Sequence, residues 1–396
     1  MEPTVSITRR GAERLAGGHL WIYRSDVERA PAELAAGEVV AVVDGRRRFL
    51  AKAFWSARSQ IALRVVTRDE EPVDEAFLAA RIAGALELRR RAFGAPGGGG
   101  AGDPPAMRVV HGEADLLPGL VADRYGEVAV VQTLIPATDR RKELLADLLA
   151  SALGLRAVVE RNDVRVRELE GLPQVKGMLR GGDPGPVEYR EGEARMRLDL
   201  LGGQKTGAFL DQRENRLRAG EYARGRCLDC FSYAGGFALQ LARGAERVTA
   251  VEMQAAAARQ ARENAELSGA ANLEVVEQNA FDFLRDEAEK EPAFDLVVLD
   301  PPAFAKNKAS VPAARRGYKE VNLRAMHVLK PGGILISCSC SYHVPEAMLE
   351  EILLDAARDA GRPAQVLERR GAARDHPVLL GVPETRYLKC FVVRLP

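Results

Sequence analysis

From Cys227 onward, short apolar runs and helical stretches alternate with a regularity that leaves few folds open. The runs RCLDC, RVTAVE, LEVVEQN, FDLVVLD and GGILISCS read as strands buried on both faces, because apolar residues run on instead of alternating with polar ones. Between them, helical periodicity predicts helices from Phe237, over 254–268, over 280–290 and over 317–329. Strands that alternate with helices build a parallel, doubly wound α/β sheet with right-handed crossovers. Ligands of such sheets bind beyond the carboxyl ends of the strands, so the residues at those ends are the candidates for chemistry.

The first 70 residues differ. HLWIY (19–23), EVVAVVD (38–44), FLAKAFW (49–55) and IALRVV (61–66) are separated by turn residues and predict a small β-rich barrel. A helix follows over 75–93, and APGGGGAGDPP (95–105) predicts a flexible loop. MRVVHG, VAVVQTL and RAVVERND as strands, a helix over 139–152 and the segment MRLDLL (196–201) predict a central α+β region. The expected domains are therefore 1–72, 73–192 and 193–396, in keeping with a length of 396 residues.

Composition narrows the function classes. With 46% hydrophobic and 29% charged residues the chain is not disordered. No apolar run reaches the roughly 18 residues a membrane span needs, and the N-terminus lacks a signal-peptide core, so a cytoplasmic chain with no membrane partner is expected. Five cysteines are an odd count that argues against a disulfide framework. Cys227 and Cys230 form a CxxC without a second pair, and the five histidines show no ligand spacing, so no metal is expected. A net charge of +1 says little, but residues 1–68 hold twelve Arg or Lys against seven acids. That excess suits a polyanionic partner; a solvated arginine-rich surface accounts for it equally well.

The run Asp229-Cys230-Phe231-Ser232-Tyr233-Ala234-Gly235-Gly236-Phe237 ends a strand, turns on two glycines and enters a helix. A dinucleotide site needs GxGxxG to seat a pyrophosphate on the helix N-terminus. Here the first glycine is missing and a carboxylate stands at the strand end, which repels a pyrophosphate and suits the cationic S-adenosyl-L-methionine. Glu252 ends the next strand, where a carboxylate can accept from both ribose hydroxyls. Asn279 is placed to touch the adenine edge, with Ala280 beside it, and Asp300 ends a further strand in Asp300-Pro301-Pro302. Any one such acid could be a helix cap; the ordered succession resembles the class I methyltransferases. There the acid on the second strand binds ribose, and the third position is usually Asp.

The segment Asp300-Pro301-Pro302-Ala303-Phe304 separates its aromatic from Pro-Pro by one residue, which weakens methylation of an exocyclic amine. The run Gly332 to Ser341 leads a strand into Cys338 and Cys340. Carbon 5 of a pyrimidine is a poor nucleophile until a thiolate adds at carbon 6, and that thiolate belongs at a strand end beside the methyl donor. The two cysteines share a face; Cys340, nearer the end, is preferred as catalytic, with Asp300 placed to hold pyrimidine nitrogen 3. Core packing of both is the competing reading. Lys306, Lys308, Arg315, Arg316 and Lys319 form a basic stretch suited to an RNA backbone, and Tyr318 stands among them.

GHLWIY (18–23), EADLLPGLVADRYG (113–126), GQKTGAFLDQREN (203–215), DCFSYAGGF (229–237), LDPPAF (299–304), RRGYKEVN (315–322), SCS (339–341), DHPV (375–378) and YLK (387–389) together resemble the ribosomal large-subunit methyltransferase I family. The resemblance spans essentially the whole chain. It implies an N-terminal PUA domain, a central domain and a C-terminal class I methyltransferase that forms 5-methylcytosine in 23S ribosomal RNA, with a homodimer as one open assembly. It also implies that Gln212, Arg213 and Lys205 close over the cofactor with Phe231, Tyr233, Gly235 and Gly236, and that Cys340 is the nucleophile. No second cysteine accompanies the DPP motif, so product release needs another base. A guanine N-methyltransferase and a non-catalytic RNA-binding assembly factor are the alternatives.

Overall fold

A computed structural model describes residues 2–93, 106–203, 207–305 and 307–396. The run 95–105, Lys205 and Lys306 lie outside them. The chain divides into two compact units, one of Met1–Tyr189, Leu198–Leu210 and Arg374–Thr385, the other of Arg190–Arg197, Asp211–Ala373 and Arg386–Pro396.

In the first unit a six-stranded sheet runs in the order Trp21–Tyr23, Ile61–Thr67, Phe49–Trp55, Val39–Val43, Thr4–Ile7, Val27–Arg29. A flat sheet would hold its outer strands roughly 24 Å apart, at about 4.8 Å per step. Here the outer strands are joined by one short 3-10 turn, Arg24–Asp26, which rises only about 2 Å per residue. The sheet therefore curls back on itself around Val5, Ile7, Ile22, Val40, Val42 and Leu63. Asp26, at the closing turn, is fully buried. Burial alone would raise its pKa, but hydrogen bonds from Arg10 (2.6 Å) and Arg14 outweigh it and hold the carboxyl below its ordinary value.

Much of the basic excess read from the sequence is spent in this way. Arg64 pairs with Glu170 at 2.7 Å, Arg48 with Asp44, and Arg24 donates to the Ser59 carbonyl at 2.9 Å. Arg46 and Arg47, at the tip of the hairpin between Val39–Val43 and Phe49–Trp55, remain exposed.

A five-stranded sheet follows in the order Lys176–Arg180, Ala157–Arg161, Val128–Thr133, Leu120–Tyr125, Met107–His111, covered by helices Glu75–Phe93 and Lys142–Leu153. The motif residues Asp115 and Asp123 are buried partners of Arg89 (2.7 Å) and Arg108 (2.9 Å). Asp375 of DHPV accepts from the Arg108 backbone N–H at 2.9 Å. These stretches hold the unit together.

The second unit carries the sheet predicted from the alternation. Its strands are β1 (Arg226–Cys230), β2 (Arg247–Glu252), β3 (Leu273–Glu277), β4 (Phe294–Leu299), β5 (Leu329–Ser339), β6 (Gln365–Arg370) and β7 (Lys389–Leu395). Its helices are α1 (Arg213–Tyr222), α2 (Gly236–Leu241), α3 (Ala255–Leu267), α4 (Ala280–Ala288), α5 (Val311–Val328) and α6 (Glu346–Asp359). The sheet order is 3-2-1-4-5-7-6, with β7 antiparallel between β5 and β6. Strand β5 begins three residues before the glycine pair. Phe294 faces Leu329 while Leu296 faces Ile334, so Lys330 to Gly333 form a bulge, turned by Gly332 at φ +81°. Among the described residues, no helix is long and apolar enough to cross a membrane and no cluster of ligating side chains could hold a metal.

Candidate active site

Register fixes the heights of the candidates. Cys230 pairs with Val251 and with Leu299, and Leu299 pairs with Ser337. Glu252 therefore ends β2 one step above Cys230, and Asp300 stands level with Cys338. Cys340, one residue beyond β5, lies roughly 6–7 Å higher at about 3.3 Å per residue. Asn279 lies two residues past the end of β3, because its Oδ1 caps α4 by accepting from the Phe281 N–H at 2.8 Å. Ala280 is the buried first residue of that helix.

The loop after β1 is held in a costly shape. Phe231 (φ +65°) and Tyr233 (φ +50°) both occupy the left-handed region, with Gly235 at φ +86°. Side-chain-bearing residues reach that region at about 1 kcal/mol or more each. Glu252 compensates: its Oε2 accepts from the Tyr233 N–H at 2.9 Å and its Oε1 from the Gln254 N–H at 2.8 Å. Each oxygen keeps a lone pair.

Asp229 is fully buried, and its Oδ2 accepts from the Ala238 N–H of α2 at 2.9 Å while Oδ1 has no hydrogen-bond partner. Burial pushes its carboxyl well above the usual range; the Ala238 N–H opposes this, and the negative charges of Asp300 and Glu252 add to it. The Ser232 hydroxyl is also buried without a partner. An edge with three carboxyls and two orphaned polar groups suits a cationic ligand.

Gln212 caps α1 and is buried; its Nε2 donates to Asp300 Oδ1 at 2.8 Å and its Oε1 accepts from Asn215 at 2.7 Å. Arg213 follows, also buried. A row of rings crosses the site: Phe231 to Phe281 and Phe281 to Phe304 at 6.0 Å between centroids, then Phe304 to Tyr318 at 4.6 Å. Phe304 is thus committed to its neighbours, and Tyr318 is a fully buried packing residue. Of the basic stretch, Arg315 pairs with Glu351 and Asp355 and Lys319 with Asp359, all carboxylates of α6, while Lys308 and Arg316 stay exposed.

The two cysteines separate clearly in space. Cys338 is fully buried; a hydrogen bond with Cys390 and burial push its thiol well above the ordinary range. Cys227, Cys230 and Cys390 are buried as well, leaving Cys340 as the partly exposed thiol. Sequence reasoning missed the polar scaffold under it. The Tyr318 hydroxyl lies 2.9 Å from the hydroxyls of both Ser339 and Ser341, and the Ala305 N–H donates to Ser341 Oγ at 3.2 Å, tying the DPPAF loop to the cysteine turn. It also missed Lys389, buried at the start of β7; a lysine heading the apolar run Cys390 to Val393 was the signal available.

Residues 5–68 match the model of a PUA-like domain, and residues 178–380 that of an S-adenosylmethionine-dependent methyltransferase. The ribosomal RNA large subunit methyltransferase I of Shewanella amazonensis is 41% identical over 383 residues, 95% of each chain. Its counterpart from Aeromonas salmonicida is 39% identical over 392 residues, 97% of this chain and 98% of the relative. The chain belongs to the ribosomal RNA large subunit methyltransferase I family.

Membership makes S-adenosylmethionine the cofactor of this enzyme, as the acid succession at the strand ends implied. The fold agrees along the whole chain with SMU.776, a methyltransferase solved in complex with SAH (TM-score 0.84, 19% identical, all of both chains covered). It agrees similarly with an S-adenosylmethionine-dependent methyltransferase from Streptococcus mutans (TM-score 0.81, 18% identical); at such identity the likeness speaks to fold alone. The residues present fit the group: the orphaned Asp229 oxygen, the spare lone pairs of Glu252 and the surplus of carboxyls suit a cationic ligand with a ribose.

Proposed function

We propose that this enzyme methylates carbon 5 of a cytosine in large-subunit ribosomal RNA, in the cytoplasm, through a covalent adduct with Cys340. The partly exposed thiol one residue beyond β5, on the sheet edge where β4 leads into Asp300, is the observation that carries this reading. The names of the relatives support the RNA, and residues 1–72, with Arg46 and Arg47 exposed, are assigned to gripping it, 73–192 to a central domain and 193–396 to the methyltransferase.

When bound, S-adenosylmethionine supplies a methyl group made electrophilic by its sulfonium. Glu252 holds the ribose hydroxyls, Asn279 and Ala280 meet the adenine, and Asp229 with Gln212, Arg213, Phe231, Tyr233, Gly235 and Gly236 shapes the rest of the pocket. The Cys340 thiolate adds to carbon 6 of the cytosine, and the Asp300 carboxyl, in its protonated form and braced by Gln212, donates a hydrogen bond to nitrogen 3 as negative charge moves onto the ring. Carbon 5, now part of an enamine, takes the methyl group. Its proton then leaves to a base, the carbon 5–carbon 6 double bond re-forms, and the thiolate departs.

The test replaces Cys340 with Ala and incubates unmethylated ribosomal RNA with labelled cofactor, mapping products by mass spectrometry. Loss of transfer with cofactor binding intact is expected. RNA carrying 5-fluorocytosine, which has no carbon 5 proton to lose, should trap the wild-type adduct. Undiminished transfer by Cys340→Ala, or methylguanosine as product, refutes the proposal. The residue that separates Phe304 from Pro-Pro supports the cytosine reading over the guanine alternative.

A further inference from the structure

Lys389 is 3% exposed, yet no carboxylate forms an ion pair with it among the described residues. Its Nζ donates to two neutral oxygens, the Ser341 carbonyl at 2.7 Å and the Tyr387 carbonyl at 2.8 Å. A buried ammonium with only carbonyl partners costs stability, so its location calls for a use. Its Cα faces Ser339 across the sheet, and its side chain reaches over the end of β5 to the residue after Cys340.

The charged and titratable groups around this point come from three elements. Tyr318 of α5 and Lys389 of β7 both feel the charge of Cys340, and Glu346 of α6 acts on Lys389. Asp300 acts on Cys338. Burial keeps the Tyr318 hydroxyl neutral by raising its pKa, so it offers a dipole to the turn while Lys389 offers a full positive charge.

We propose that Lys389 is a positioning residue for Cys340: its ammonium clamps the Cys340–Ser341 turn to the start of β7 and sustains the thiolate that attacks the pyrimidine. The proposal rests on reading Cys340 as the nucleophile. Burial lowers the Lys389 ammonium to about 8, with the charges of Cys340 and Glu346 acting in the opposite direction. Attraction is reciprocal, so the charge that raises the lysine favours the thiolate equally. Near pH 7 about nine-tenths of the molecules carry the cation; above about pH 8 the support fades.

The first arm of the test needs no RNA. The other four cysteines are buried, so iodoacetamide reports on Cys340 in the folded full-length protein, with peptide mass spectrometry confirming the site. In Lys389→Met the apparent pKa for alkylation should rise by about one pH unit, the lower end of the effect of an adjacent opposite charge, and Lys389→Arg should stay close to wild type. Methyl transfer by the Met variant at pH 7 should fall about tenfold in kcat, in line with that loss of thiolate, with KM for the cofactor unchanged. A Met variant with the wild-type alkylation profile overturns the proposal even if transfer is lost. Continued methyl transfer by Cys340→Ala would sink the carbon 5 reading instead, and leaves the alkylation result to be judged separately.

Discussion

Replacing Gly236 with Ala tests why the cofactor loop carries two glycines. The sequence suggests that both let a ligand approach the backbone. In the structure a Cβ on Gly236 would lie 2.8 Å from Cδ of Arg216, 3.2 Å from its Nε and 3.3 Å from its Nη1, against ordinary contacts of about 3.5–4.0 Å. Arg216 cannot swing aside freely, because its guanidinium is locked onto Glu191 by bonds of 2.6 and 2.5 Å, and both side chains are almost wholly buried. Displacing one partner of a buried pair costs about 3–5 kcal/mol, and partial relaxation sets the expected loss at about 3 kcal/mol. At about 2–4 °C per kcal/mol for a unit of this size, the melting temperature should drop by roughly 6–12 °C. Thermal melts followed by circular dichroism measure this. Gly235→Ala is the contrast: its Cβ meets Ala261 at a tolerable 3.4 Å, so only the backbone cost at φ +86° applies, about 1–2 kcal/mol. A Gly236→Ala protein that melts within about 2 °C of wild type would refute the argument.

Other outcomes follow from the same geometry. Glu252→Gln should weaken S-adenosylmethionine binding by ten- to about a hundredfold, as loss of a charged acceptor costs about 1.5–3 kcal/mol; calorimetry reads it, and an unchanged Kd would exclude Glu252 from the pocket. Glu368 lies between Arg218, Tyr222 and Arg370; burial alone would raise it, but their hydrogen bonds outweigh this and lower it from 4.5 to about 2. Its contribution is therefore complete above pH 4.5, where the unfolded chain is ionised too, and drains away as pH falls toward 2. Urea midpoints at pH 5 and pH 3 should differ less in Glu368→Gln than in wild type, and equal differences would refute the assignment. Replacing Arg46 and Arg47 together with Ala should flatten the salt dependence of RNA binding by about one to two units of log–log slope, leaving the melting temperature unmoved; an unchanged slope removes this hairpin from the RNA contact.

Periodicity carried the sequence reading a long way in the second unit. β1 to β5 fall where apolar runs placed them, and Asp229, Glu252 and Asp300 reach one edge of the sheet because strand ends in a parallel sheet must share an edge. What escaped depended on partners distant in sequence. Asn279 reads as a strand end, whereas its short polar side chain prefers to cap α4. The placing of β7 between β5 and β6 cannot be seen in a pattern that reveals elements and not their order. Lys389 looked like one member of a signature, because its function lies in a carbonyl 48 positions away. Likewise Asp115, Asp123 and Asp375 stood in motifs that carried the resemblance without a role, and are buried counterions of Arg89 and Arg108 or an acceptor for a backbone N–H. In the barrel, Thr4–Ile7 was too short to announce itself.

The late position of β7 bears on how the protein is made. As the chain emerges, β1 to β5 can assemble in order, but β5 has an unsatisfied edge until Lys389–Leu395 arrives to pair with it. An open edge of that kind invites other strands, and the turn bearing Cys340 is unclamped for the same interval. Truncation before Lys389 would therefore leave β1 to β5 with an open edge that is prone to clump and a nucleophile that is not fixed, so competence waits on β7 reaching β5 and bringing β6 with it.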